Sequence, residues 1–144
     1  MIKMLVTVDE SEHSRKVIDE AIQLASCLGA EVTLLTVMED VVRLGGVSEV
    51  PMGDIQRLNE SRKNSLEQYL KKEAEKFKEK GTDVKVKLAT GTHPGQTICD
   101  IAKEEDHSYI VLGSRGISGI ARIFLGSVSN WVAQNAEQNV VIIK

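Results

Sequence analysis

Hydrophobic residues occur along the chain in short runs that alternate with longer segments of helical periodicity. The short runs are rich in β-branched residues and predict five strands, at residues 2–8, 31–38, 83–89, 108–113 and 139–144. In between, apolar residues recur every three or four positions and predict helices at about residues 11–28, 54–80, 94–105 and 127–136. This alternation predicts an α/β fold, an open, doubly wound, parallel sheet with helices on both faces.

The composition of each strand indicates its place in the sheet. The first and fourth strands are almost wholly apolar, as expected of central strands that are covered on both faces. The third strand alternates apolar residues with Lys85 and Lys87, which discourage edge pairing, so we place it at an edge. The order 3-2-1-4-5 satisfies these placements.

The fifth strand then forms the other edge of the sheet. Residues 140–143 are apolar on both faces, and an exposed edge of this kind invites pairing. We expect a cover, either from a second copy of the chain in a homodimer or from another segment of the same chain.

Composition narrows the class of protein. A chain of 144 residues with 42% hydrophobic content fits a single domain, residues 1–144. A net charge of −3 argues against a general nucleic-acid binder. The spacing of Cys27 and Cys99 matches neither a zinc site nor a redox pair, and we expect two buried thiols. No signal peptide or membrane-spanning run is visible, so a cytoplasmic protein without membrane contact is expected.

A glycine-rich stretch follows the fourth strand. It runs from Gly113 to Gly116 and then, after nine residues, to Gly126 and Ser127 at the start of the last helix. Glycine allows close approach or positive φ, and a helix N-terminus offers unpaired N–H groups, so the stretch is suited to phosphate. In the alternative interpretation, Ser127 only caps the helix and the glycines only turn the chain.

The predicted topology brings this stretch close to the end of the first strand. In open α/β sheets, ligands bind at the carboxyl ends of the strands where the strand order reverses, here between strands one and four. Strand one ends at Val8 and Asp9, and strand four leads into the glycines. The long connection at residues 39–54 starts at the same edge and is either a flap or a linker without a role. The chain contains neither a Walker A sequence nor the dinucleotide fingerprint.

The segments "VTVDESEHS", "LLTVMED" and "TGTHPGQTICDIAKEEDHSYIVLGSRG", with the spacing G-x2-G-x9-G-S, resemble the universal stress protein family over nearly the whole chain. The resemblance implies a five-stranded parallel sheet, dimerisation through the last strand and, with the glycine pattern intact, ATP binding. The residues that it assigns to the base and ribose are Val8, Asp9, Val37, Leu112 and Gly113. Those that it assigns to the phosphates are Gly116, Gly126 and Ser127, with Arg115 and Ser129 as neighbours.

Two other function classes need residues that this chain lacks. Receiver domains share the fold class but need an acceptor Asp after strand three, and the segment "LATGTH" contains none. Adenylating enzymes need a Ser-Gly-Gly loop after strand one, where this chain has "VDESEHS". His93 is the only histidine expected near the carboxyl edge, and we assign no catalytic residue. Mg²⁺ or Mn²⁺ would bind only through the phosphates, because no carboxylate cluster is visible.

Asp9 has an alternative role as the cap of the helix that starts near Ser11. Glu10, which stands where relatives commonly have glycine or a bulky apolar residue, favours a site that holds no nucleotide. The alternative function is therefore a dimeric stress or interaction protein without a ligand.

Overall fold

Five parallel strands form one sheet in the order β3-β2-β1-β4-β5 in the computed structural model, which describes residues 1–39, 51–115 and 126–144. The elements in chain order are β1 (Lys3–Thr7), α1 (His13–Leu28), β2 (Glu31–Met38), α2 (Met52–Glu79), β3 (Val84–Thr90), α3 (Pro94–Glu104), β4 (Tyr109–Gly113), α4 (Ser127–Asn135) and β5 (Asn139–Ile143). The predicted fold class and strand order are confirmed. Gly116 and most of the predicted flap lie outside the described residues.

The sheet separates two apolar cores, because successive side chains of a strand point to opposite faces. Val6 of β1 packs with Ile18 of α1 and Phe77 of α2 on one face. Leu5, its neighbour in the strand, packs on the other face with the residues that α3 and α4 contribute, among them Ile98. The helices are therefore held to the sheet by their apolar stripes, and the first turns of α1, α3 and α4 come to lie at its carboxyl edge.

The two edges of the sheet differ in chemistry. β3 carries Lys85 and Lys87 on one edge, as predicted. On the other edge, the Asn139 N–H donates to the carbonyl oxygen of Ser108, and the Ile143 carbonyl oxygen accepts the N–H of Ser114. Since alternate residues of a parallel strand bond to opposite sides, the N–H and C=O groups of Val140 and Ile142 point to the open edge.

One expectation about the cysteines is wrong. Cys99 is buried, and burial raises the pKa of its thiol, but Cys27 is exposed. α1 buries the stripe that contains Ala21 and Ala25, and a residue two positions beyond Ala25 faces away from that stripe. Within the described residues, no helix is long and apolar enough to cross a membrane.

Candidate functional site

A cavity of about 320 Å³ opens at the carboxyl edge of the sheet, where the strand order reverses between β1 and β4. Its walls come from the ends of β1, β2 and β4 and from the first turns of α1, α3 and α4. The predicted site residues that line it are Val8, Asp9, Val37, Leu112, Gly113, Arg115, Gly126, Ser127 and Ser129. The topology therefore brings together every predicted site residue that the structure describes.

Asp9 is held by four hydrogen bonds. Its N–H donates to Ser14 Oγ at 2.9 Å, and its carbonyl oxygen accepts the Tyr69 hydroxyl at 2.5 Å. Its Oδ1 accepts the Ser11 N–H at 2.8 Å and the Ser14 hydroxyl at 3.0 Å. Oδ2 accepts no hydrogen bond from the described part of the chain, and the N-cap of α1 is Glu12. Asp9 thus organises the turn before α1 and keeps one carboxylate oxygen free.

The backbone of Val37 offers a donor and an acceptor at the edge of the cavity. The Val8 N–H donates to the Leu35 carbonyl oxygen, so Leu35 and, two residues later, Val37 turn their backbone groups towards β1. The ladder between β1 and β2 ends at the pair Thr7 and Leu35. The Val8 carbonyl oxygen, the next acceptor, is bound by the Thr36 hydroxyl at 2.8 Å. The N–H and C=O of Val37 are therefore left without a ladder bond to the described residues of β1.

The other end of the cavity is formed by the start of α4. Gly126 is the N-cap residue in an extended conformation, and Ser127 begins the helix without a side-chain capping bond. The alternative that Ser127 is the N-cap is therefore wrong. The first intrahelical bond runs from the Asn130 N–H to the Gly126 carbonyl oxygen, so the three preceding N–H groups lack intrahelical acceptors. The Ser129 hydroxyl donates to that same carbonyl at 3.0 Å and is already engaged.

The described glycines of this stretch do not take positive φ. Among the described residues, the positive-φ glycines are Gly29 and Gly81, both far from the cavity. A Cβ at Gly113 would stand 2.6 Å from the His13 ring, so this glycine is required by the close approach of α1. A Cβ at Gly126 would meet the Ser114 carbonyl oxygen at 3.3 Å. Close approach to other parts of the protein thus accounts for both glycines, more tightly at Gly113 than at Gly126.

The cavity carries charges of both signs. Asp9 and Glu39 contribute carboxylates, and Arg115 contributes a guanidinium that forms no ion pair with the described residues. Glu10, the acidic residue that the sequence singled out, is exposed and is not part of the lining. Among the described lining residues, the second carboxylate is therefore that of Glu39, directly after β2.

The expectation that only His93 lies near the carboxyl edge is wrong. His13 also lies there, and its Nε2–H donates to the Ile143 carbonyl oxygen at 2.9 Å. His93 caps α3, with its Nδ1 accepting the Gln96 N–H at 3.1 Å. His107 lies at the opposite end of the sheet and is buried, which lowers its pKa. None of the three histidines lines the cavity.

Further lining residues were not identified from the sequence. They are Thr7, Ser14, Val17, Glu39, Pro94, Ile98, Ser114 and Val128. Most of them flank predicted strand ends or lie in the first turns of predicted helices. Their position along the chain is therefore the signal that could have identified them as lining residues.

Known proteins resemble this chain in sequence and in fold. The model of the universal stress protein family matches residues 1–144. Universal stress protein YxiE of Bacillus subtilis is 40% identical over 147 residues, which cover 99% of this chain and 98% of YxiE.

Two solved structures share the fold. MJ0577 of Methanocaldococcus jannaschii has a TM-score of 0.84 at 24% identity, over 99% of this chain and 95% of that one. The universal stress protein from Archaeoglobus fulgidus in complex with dAMP has a TM-score of 0.66 at 24% identity, over 100% of this chain and 98% of that one.

Proposed function

Because the chain belongs to the universal stress protein family, we propose that it is a stress-response or regulatory protein that binds ATP in the cavity between β1 and β4. The observation that carries the proposal is the chemical division of this one cavity. One end offers hydrogen-bonding groups suited to a purine edge, and the other offers the N-terminus of a helix.

The base end is suited to adenine. The adenine ring presents an acceptor nitrogen beside an amino donor, and the N–H and C=O of Val37 have the complementary order. Asp9 Oδ2 is an acceptor for a further donor, whereas the 6-oxo group of guanine or hypoxanthine would place oxygen against these acceptors. Val8 and Leu112 are buried apolar residues that can flank the flat faces of the base.

The phosphate end combines α4 with one guanidinium. The unpaired N–H groups at the start of a helix and its positive dipole end favour anions. Arg115 adds a guanidinium, whose planar fork of donors matches phosphate oxygens. Because the described residues hold no cluster of three metal-binding side chains, Mg²⁺ or Mn²⁺ would bind through the phosphates. The A. fulgidus relative in complex with dAMP supports an adenine nucleotide as the ligand.

The test of the proposal is nucleotide release together with calorimetry. Purified protein is denatured, the supernatant is chromatographed, and the protein freed of ligand is titrated with Mg-ATP and with Mg-ITP. We expect adenine nucleotide in the supernatant, and heat with Mg-ATP that is much weaker with Mg-ITP. No released nucleotide and no heat at millimolar Mg-ATP would exclude the proposal and favour the dimeric interaction protein without a ligand.

A variant pair tests the site itself. Gly126→Val should abolish binding, because its side chain enters the space between α4 and the Ser114 carbonyl. Gly53→Val is the matched control, since a Cβ at Gly53 meets nothing within 4 Å and lies far from the cavity. The circular dichroism spectra of both variants are compared with that of the wild type to check that they are folded.

We also propose that two copies pair through β5. Both faces of this strand are partly buried against the two cores, and its outer backbone groups have no pairing in the described chain. Sedimentation velocity measures the assembly directly. A monomer at high micromolar concentration contradicts the pairing without affecting the nucleotide proposal.

A further inference from the structure

We infer that Tyr69 is a positioning residue of the nucleotide site and that it acts through Asp9. The inference rests on the proposed function, because it concerns the group that would meet the base. Tyr69 lies on α2, which contributes none of the described residues that line the cavity. Its hydroxyl nevertheless reaches the end of β1, where it donates to the Asp9 carbonyl oxygen and also lies against the Ser14 side chain, a partner of Asp9.

The sheet no longer holds the backbone where Asp9 begins. The last ladder bond between β1 and β2 is that from the Val8 N–H to Leu35. Beyond it, the Asp9 N–H is bound by Ser14 of α1, and the Asp9 carbonyl is bound by the Tyr69 hydroxyl of α2 at 2.5 Å. Two helices thus replace the missing strand neighbour and fix both sides of this residue.

This fixation determines which carboxylate oxygen remains available. Oδ1 is occupied by the Ser11 N–H and the Ser14 hydroxyl, both in the turn that leads into α1. Oδ2 is the remaining acceptor, and the two bonds to Oδ1 fix its direction. If the carbonyl of Asp9 is released, the peptide between Asp9 and Glu10 can rotate and displace the Ser11 N–H that holds Oδ1, so the carboxylate is no longer fixed for a ligand donor.

Tyr69 is suited to this role because its hydroxyl stays protonated. Burial and then the charge of Glu73 raise the pKa of Tyr69 far above its ordinary value. The hydroxyl therefore remains a donor throughout the physiological range of pH. A carbonyl oxygen has no proton, so the direction of the bond is fixed.

The experiment compares Tyr69→Phe with Tyr109→Phe, since these are the two tyrosines of the chain. We expect Tyr69→Phe to bind Mg-ATP about five- to tenfold more weakly, the effect of one lost hydrogen bond. Its preference for Mg-ATP over Mg-ITP should narrow by a similar factor, because Asp9 then discriminates less between amino and oxo groups. Tyr109→Phe should match the wild type in both measurements.

The preference between the two nucleotides separates positioning from a merely structural role, because a small loss of folded protein lowers both affinities equally. A second measurement places Tyr69→Phe in a chain that already carries Asp9→Asn. If Tyr69 acts through the Asp9 carboxylate, Tyr69→Phe should change the affinity of that chain for Mg-ATP by less than about twofold. An unchanged ATP preference in Tyr69→Phe, or effects that add in the double variant, would overturn the inference. Failure of the wild type to bind ATP would instead refute the proposed function.

Discussion

The most direct test of the packing at the carboxyl edge is the substitution Gly113→Ala. The added Cβ would lie 2.6 Å from His13 Cδ2 and 3.1 Å from Val17 Cγ2, both on α1. Real Cβ atoms do not approach other heavy atoms to 2.6 Å, so the imidazole must move. Any movement of this ring away from β4 breaks its hydrogen bond to the Ile143 carbonyl oxygen, which is 2.9 Å long.

The expected cost has two parts. Overpacking of a well-packed site by one methyl group costs about 1–3 kcal/mol. Loss of the hydrogen bond from His13 adds about 0.5–1.5 kcal/mol. We therefore expect Gly113→Ala to lower the free energy of unfolding by about 2–4 kcal/mol, with no change in the fold.

Urea denaturation measures this cost, followed by circular dichroism and by the fluorescence of Trp131, the single tryptophan of the chain. The matched variant is Gly126→Ala, whose Cβ meets only the Ser114 carbonyl oxygen, at 3.3 Å, and the Ser129 hydroxyl, at 3.7 Å. It should cost less than about 1 kcal/mol, because neither contact is as short as those of Gly113.

A double variant identifies the cause. In a His13→Ala background the ring is absent, so Gly113→Ala should cost at least about 1 kcal/mol less than it does alone. A cost below about 0.5 kcal/mol for Gly113→Ala in the otherwise wild-type chain would refute the reasoning. Gly113 would then be explained by the ligand rather than by α1.

Three further predictions concern His107, β5 and Thr36 of β2. Burial lowers the pKa of His107, so on acidification this histidine is protonated in the unfolded chain before it is protonated in the folded one. The free energy of unfolding should therefore fall as the pH drops below about 6.5, and His107→Gln should flatten this part of the profile of stability against pH. Ile142→Pro should give a folded monomer, because the N–H that it removes faces the open edge. Ile143→Pro should instead destabilise the chain, because it removes a hydrogen bond between β5 and β4. Sedimentation velocity measures the oligomeric state of each variant, and urea unfolding measures its stability. Thr36→Val should cost about 1–2 kcal/mol in urea unfolding, because the buried Val8 carbonyl loses its donor.

The fold could be predicted because local pattern and sheet chemistry agree. The lysines at alternate positions of β3 assign this strand to an edge of the sheet. The continuous apolar character of β1 and β4 assigns those two strands to its centre. The parallel topology then follows from the alternation of strand and helix. The position of the site follows too, because the connections that leave β1 and β4 run to opposite faces of the sheet where the order reverses.

Contacts between elements that are distant in sequence could not be predicted. The reason for Gly113 lies in His13, one hundred positions earlier, and periodicity carries no information about such a contact. The bond from Tyr69 to Asp9 spans 60 positions and depends on how α2 crosses β1. The exposure of Cys27 depends on the rotation of α1, which a burial tendency of cysteine alone does not determine.

The difference between the two sheet edges limits how large an assembly can grow. Pairing of β5 with β5 across a two-fold axis is self-complementary and uses the apolar edge of both copies at once. The sheet would then end on each side at β3, where Lys85 and Lys87 oppose the addition of another strand. A chain with two apolar edges could extend into a filament. This chain has one, so the proposed pairing through β5 would be closed at two copies.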